Sequence, residues 1–240
     1  VPEGYIFCGA GAAELIYAYC DALRPERVME LAPTFSEYGA AARHFGAQVL
    51  CHPLERGSGF AVGDSLLTAI ADEKPDMLFL CTPNNPTGMT IARPLLEAVL
   101  SLCRKQETRV FLDECFLDFT DAKSARDLLA AHSNLLILKA FTKNYALAGA
   151  RVGYCMTADS ALLQKMGECV QPWNVSALAQ AAGVAALNET DWILRAKALL
   201  PGARAYLTDG LTALGFTVFP SEANYLLFTA PAGLDSALLR

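Results

Sequence analysis

Two periods of apolar residues divide the first two thirds of the chain. Short apolar runs of strand length fall at 5–8, 27–31, 48–51, 76–81 and 109–112, and between them residues 13–23, 37–45, 64–71 and 94–105 repeat apolar side chains at helical spacing. Two further runs, 134–138 and 151–155, extend the strand series. Strands separated by helices predict an α/β fold with a mostly parallel central sheet and helices on both faces, which receives ligands at the carboxyl ends of its strands. After residue 158 the pattern turns helical, over 160–169, 177–187 and 191–214, with a break or bend expected at Pro201-Gly202. The runs 216–219 and 224–228 then read as strands that open a smaller α+β domain. Residues 1–187 are accordingly expected as a large domain, and 188–240 as a linking helix and an incomplete small domain.

Composition narrows the class of function. The 240 residues are 53% hydrophobic and 18% charged, enough for a large core, and a net charge of -6 offers no basic surface for nucleic acid. Eight cysteines without a C-x-x-C pair, most of them in apolar runs, read as free thiols of a reducing compartment. Three histidines, at 44, 52 and 132, lack metal-ligand spacing, so no metal site is expected. No apolar run is long enough to span a bilayer, and Val1-Pro2-Glu3 lacks the basic start and apolar block of a signal peptide. The expectation is a cytoplasmic protein working on a small molecule, with neither a membrane nor a nucleic-acid partner.

Candidate chemistry collects just past strand ends. Lys143 follows the run 134–138 at the expected edge of the core, where burial would favour the neutral amine, a nucleophile toward a carbonyl. Thr142 adds a hydroxyl and Arg151 a planar guanidinium suited to phosphate. Together these groups would hold a phosphorylated aldehyde; the plainer alternative is a surface lysine with Arg151 in an ordinary salt bridge. Gly9-Ala10-Gly11-Ala12-Ala13-Glu14 joins a strand to a helix whose first N–H groups would point at an anion, or it is a tight turn only. Cys81-Thr82-Pro83-Asn84-Asn85-Pro86-Thr87-Gly88 carries two prolines that stop helix and strand alike and predict a rigid loop. The strand over 109–112 leads into Asp113 and Glu114 on alternate sides; for Glu114 a helix N-cap or a surface ion pair is preferred. Phe35, in Pro33-Thr34-Phe35-Ser36-Glu37-Tyr38, either stacks on a ring or fills the core.

These strings, above all the Lys143 segment and Asn84-Asn85-Pro86-Thr87-Gly88, resemble the fold type I pyridoxal-phosphate enzymes of the class I/II aminotransferase group. The resemblance implies that Lys143 is the catalytic lysine, forming a Schiff base with pyridoxal 5'-phosphate (PLP). It also implies that Gly11, Ala12, Ala13, Thr142 and Arg151 hold the phosphate, Asn85 the phenolic oxygen, Asp113 the pyridine nitrogen and Phe35 the ring face. Two residues depart from the group. Phe116 stands where many members have a tyrosine that contacts the phenolic oxygen, and Ala140 stands where a serine or threonine also binds phosphate. Ala12 and Ala13 offer main-chain donors only.

Within the group, Asp113-Glu-Cys-Phe-Leu-Asp-Phe119, Pro172-Trp-Asn-Val175 and Ala223-Asn-Tyr-Leu-Leu-Phe228 resemble the branch containing L-threonine-O-3-phosphate decarboxylase and histidinol-phosphate aminotransferase, and Phe116 suits the former better. This branch implies a homodimeric enzyme acting on a phosphorylated amino acid, a decarboxylase of cobalamin synthesis or an aminotransferase. By the same resemblance, a segment ahead of Val1 and a domain beyond Arg240 are expected. The alternative is a truncated domain that does not turn over substrate.

Overall fold

The computed structural model describes residues 1–234; the small-domain expectation for 235–240 lies outside the described residues. Seven strands, β1 (Ile6–Gly9), β2 (Arg27–Ala32), β3 (Gln48–Pro53), β4 (Met77–Cys81), β5 (Arg109–Asp113), β6 (Leu135–Ala140) and β7 (Gly153–Met156), form one sheet in the order β1-β7-β6-β5-β4-β2-β3. Neighbours from β3 to β6 pair in parallel, as expected. β7 instead runs antiparallel to both β6 and β1. The reversal has a local cause: between β6 and β7 the chain forms only one helical turn, α5 (Phe141–Asn144), too little for a packed crossover helix. The start of β7 therefore lies at the same sheet edge as the ends of the other six strands.

Helices cover both faces. In β4, Met77, Phe79 and Cys81 join a core with Leu15 and Tyr19 of α1 (Ala12–Leu23) and Tyr38 of α2 (Glu37–His44). Leu78 and Leu80 join the opposite core with Ile70 of α3 (Ser65–Glu73) and Val99 of α4 (Arg93–Lys105). This alternation is the period of two that a strand buried on both faces must show. β5 keeps the register, with Phe111 in the first core and Leu112 in the second, so Asp113 returns to the side of Tyr38.

After β7 come α6 (Ser160–Glu168), α7 (Ala177–Leu187) and α8 (Thr190–Ala213). The expected break at Pro201-Gly202 does not occur, for α8 runs through Pro201. Leucine, alanine, arginine and lysine around the proline propagate the helix and offset its local cost of about 3 kcal/mol. The last strands are shorter than the sequence suggests: β8 (Thr217–Val218) and β9 (Phe228–Thr229) form a two-residue antiparallel pair. The stretch between them is committed elsewhere. Glu222 N–H donates to Gly88 O at 2.8 Å, Arg204 donates to the carbonyls of Glu222 and Ala223, and the Tyr225 hydroxyl donates to Asn84 O at 3.0 Å.

That docking explains Gly88. Its φ is +76°, and a Cβ there would collide with Ser221 Oγ and lie 3.1 Å from Ser221 Cα. Gly88→Ala is expected to lower stability by about 1–3 kcal/mol through left-handed strain and displacement of Ser221, measured as a lower denaturant midpoint.

Candidate active site

The residues expected to meet the cofactor lie at the edge where the parallel strands end. The phosphate-side group is built by β1, α1 and β7. Gly11 (φ +89°) caps α1, and a Cβ on it would come within 2.6 Å of Arg151 Nη2. On the other side of that turn, a Cβ on Gly153 would lie 3.0 Å from Lys139 O and 3.3 Å from Ala12 N. Arg151 itself has φ +55°, a conformation that costs a non-glycine residue about 1–3 kcal/mol. The strain is local to the approach of its guanidinium to Gly11.

Gly11 contributes space and not a donor, because its N–H already bonds Gly9 O at 2.8 Å. The Ala10 N–H is taken by Glu14 Oε2 at 2.7 Å, and Asn174 donates to the same oxygen at 2.7 Å. The first-turn N–H groups of Ala12 and Ala13, beside Arg151, form the anion-facing set, as helix geometry requires. Thr142 is half-buried on α5, and its hydroxyl has no hydrogen bond among the described residues. Its turn is tied to β7 by Phe141 N–H to Val152 O at 3.2 Å.

Lys143 is exposed, contrary to the expectation of an amine at the edge of the core. The one-turn α5 carries it past the end of β6, and its Nζ stands 5.7 Å from the ring centroid of Phe116. Phe116 is met edge-on by Tyr225, with ring centroids 4.9 Å apart. Tyr225 in turn bonds the carbonyl of Asn84, next to Asn85.

The two asparagines differ in kind. Asn84 is fully buried and structural: it donates to Pro33 O and Thr87 Oγ1 and accepts from Thr34. Asn85 is half-buried, and its carboxamide has no protein partner among the described residues. Asn84 thus fixes the loop and leaves Asn85 available to a ligand.

Asp113 is 5% exposed at the end of β5. Its Oδ2 accepts from the Tyr38 hydroxyl at 2.7 Å and its Oδ1 from Cys115 N–H at 2.8 Å. It forms no ion pair among the described residues, and burial pushes its carboxyl above the ordinary aspartate range, against the bonds from Cys115 and Tyr38. Phe35 is half-buried and lies edge-on to Tyr38 at 5.5 Å. Glu114 points to the other face, where it accepts from Ala125 N–H at 2.7 Å and pairs with Lys139 at 3.5 Å. Glu114 is not a helix N-cap, a position that Ser124 takes in the turn over 125–128; it only accepts from that turn at long range in sequence, and its ion pair is buried and not at the surface, since Lys139 projects from the central strand β6.

A cavity of about 1040 Å³ opens beside the site, lined by Lys139, Tyr154, Val184 and Ile193 among others; Gly153 borders it, but Lys143, Asp113, Asn85, Phe35 and Arg151 do not.

Comparison with known proteins decides what this edge belongs to. The family described as "Aminotransferase class I and II" matches residues 1–240. The chain belongs to the class I and II aminotransferase family. Among its relatives, threonine-phosphate decarboxylase of Salmonella typhimurium is 37% identical over 231 residues, which is 95% of this chain and 63% of that protein. Histidinol-phosphate aminotransferase of Roseiflexus castenholzii is 36% identical over 97% of the chain and 62% of the relative. The crystal structure of histidinol-phosphate aminotransferase from Clostridium acetobutylicum superposes with a TM-score of 0.86 at 26% identity, over 95% of this chain and 68% of that one. The chain therefore spans less than two thirds of the length of these first two relatives.

The cofactor of this aminotransferase family is PLP, and the residues present fit it. The Gly11 and Gly153 cradle leaves room where a Cβ would intrude, Arg151 offers a guanidinium, and Asp113 is a buried carboxylate without an ion pair among the described residues. Sequence reasoning missed three members of the surroundings. Glu14, three residues after the Gly11 cap, carries the spacing of a capping box and was readable from it. Tyr38 and Tyr225 act over separations of 75 and 141 residues and left no local signal.

Proposed function

We propose that the chain is the larger part of a PLP-dependent enzyme that decarboxylates L-threonine O-3-phosphate in cobalamin synthesis. The observation that carries the reading is the gathering of Lys143, Asp113, Asn85, Phe35 and the Gly11–Arg151 cradle on one sheet edge. The amides of Ala12 and Ala13 with Arg151 and Thr142 would hold the phosphate. Asn85 would donate to the phenolic oxygen, Phe35 would cover a ring face, and Asp113 would keep the ring nitrogen protonated. PLP, when bound, supplies an electron sink for the pair released at the substrate Cα. Lys143 would be the residue that holds the cofactor through its amine, and its Nζ would hold or move the proton at the substrate Cα.

Phe116 favours the decarboxylase. Without a hydroxyl there, the phenolic oxygen has one donor fewer, and the residue fits that branch better than the aminotransferase branch. The second reading, an aminotransferase of the histidinol-phosphate type, is supported by the 36% identity to the Roseiflexus protein. We assign 188–240 to the linking helix and the opening of a small domain. A homodimer is supported by apolar side chains left exposed on α7 and α8, among them Leu178, Val184, Leu194 and Leu199. No helix among the described residues is long and apolar enough to cross a membrane, and the free cysteines suit the cytoplasm.

Product analysis tests the reaction. With PLP and L-threonine O-3-phosphate, carbon dioxide release is expected. Amino transfer to a 2-keto acid without carbon dioxide would replace the decarboxylase with the aminotransferase, and neither product would leave the chain without turnover.

A further inference from the structure

We propose that Tyr38 is a positioning residue of this site, its hydroxyl aiming the Asp113 carboxylate at the cofactor ring nitrogen while its ring sets the angle of Phe35. The inference rests on the PLP-site reading. Tyr38 is 0% exposed, and it is held on three sides: its ring stacks on Phe79 at 5.1 Å with a 10° tilt, lies 6.3 Å from Phe111, and receives Phe35 edge-on. A ring so confined cannot turn its hydroxyl elsewhere. That hydroxyl reaches Asp113 Oδ2 at 2.7 Å, the length of a charge-assisted O–H···O bond.

The direction of the bond is fixed as well. Burial and the Asp113 charge push the Tyr38 phenol well above its usual range, so it remains the donor. With Cys115 N–H on Oδ1, the carboxylate is pinned at both oxygens and cannot rotate away from the sheet edge. One buried tyrosine thus links the two residues proposed to meet the ring, one at its nitrogen and one at its face.

The other titratable or charged groups facing Asp113 are Cys81 from β4, Cys115 from the turn after β5, Lys139 from β6 and Tyr225 from the segment after α8. Lys139 spends its bonds on Asp118 and Glu114, and the thiols and Tyr225 are driven further toward their neutral forms by burial. The Cys115 thiol and the Tyr38 hydroxyl are thus the side-chain donors that favour the ionised carboxylate directly, and Tyr38 is the one fixed by ring packing. Its removal lets the Asp113 carboxyl rise further, so less carboxylate is present at a given pH.

The experiment is a titration of the chain with PLP across pH, read by the visible absorbance of the bound cofactor. Wild-type affinity is expected to fall on the acid side as Asp113 takes up a proton. In Tyr38→Phe, which keeps the ring, that acid limb is expected to move up by about one pH unit. Asp113→Asn is expected to lack the limb, and adding Tyr38→Phe to it is expected to change affinity no further. A limb unmoved in Tyr38→Phe, or an equal loss of affinity in the Asp113→Asn background, would overturn the positioning role while leaving the PLP site standing. Failure of the wild-type chain to give a Lys143-dependent band would overturn the site itself and this inference with it.

Discussion

Lys143→Ala is expected to abolish the visible cofactor band that borohydride bleaches, and to lower the proposed turnover of L-threonine O-3-phosphate by at least about 10³-fold, since the attachment and the proton transfer at Cα proposed for it would be lost together. The fold should survive the change. Lys143 is exposed, it sits on the one-turn α5, and its nearest aromatic neighbour, Phe116, is held independently by Tyr225. A thermal melt close to wild type alongside a missing band is the expected combination. A reducible band that persists in Lys143→Ala would move the attachment elsewhere, and Lys139 is too committed to Asp118 and Glu114 to replace it.

Asp113→Asn is expected to act in opposite senses on stability and on function. Burial raises the Asp113 carboxyl, so in the cofactor-free fold its charge opposes folding. That penalty is absent below the unfolded value of about 3.9 and grows as pH rises through the higher folded value. The cofactor-free Asp113→Asn chain should therefore melt above wild type at pH 7, by about 2–4 °C per kcal/mol relieved, and the gap should close toward pH 4. On the proposed function, turnover should fall by roughly 10²–10³-fold, because the ring nitrogen would lose the anion proposed to keep it protonated. Calorimetry at the two pH values and the decarboxylation assay separate the effects. A destabilised variant at pH 7 would mean that the bonds from Tyr38 and Cys115 outweigh the desolvation of the charge.

Much of the fold was legible because the strands are buried on both faces. A run such as Met77–Cys81 leaves little choice but a central strand, and strict alternation placed Asp113 and Glu114 on opposite sides. The reversed direction of β7 was not legible, since an apolar run of four residues carries no sign of its partner's sense. The brevity of β9 was hidden likewise: Asn224-Tyr-Leu-Leu has strand composition, but Ser221, Arg204 and Gly88 claim the neighbouring backbone. Gly11, Asn85, Asp113 and Arg151 were proposed from type and position, and the structure brings them to one sheet edge. Which donors are spent could be known only in three dimensions, as with the N–H of Gly11 and the carboxamide of Asn84. The exposure of Lys143 belongs to the same class, for it depends on how far α5 projects from the sheet.

β1, one of the two border strands of the sheet, has one neighbour among the described residues, β7. The turn that follows β1 and the arginine that precedes β7 face each other across that single pairing. An anion gripped by both would rivet the margin of the sheet to its interior, so that letting go of the phosphate and peeling back the border strand become one event.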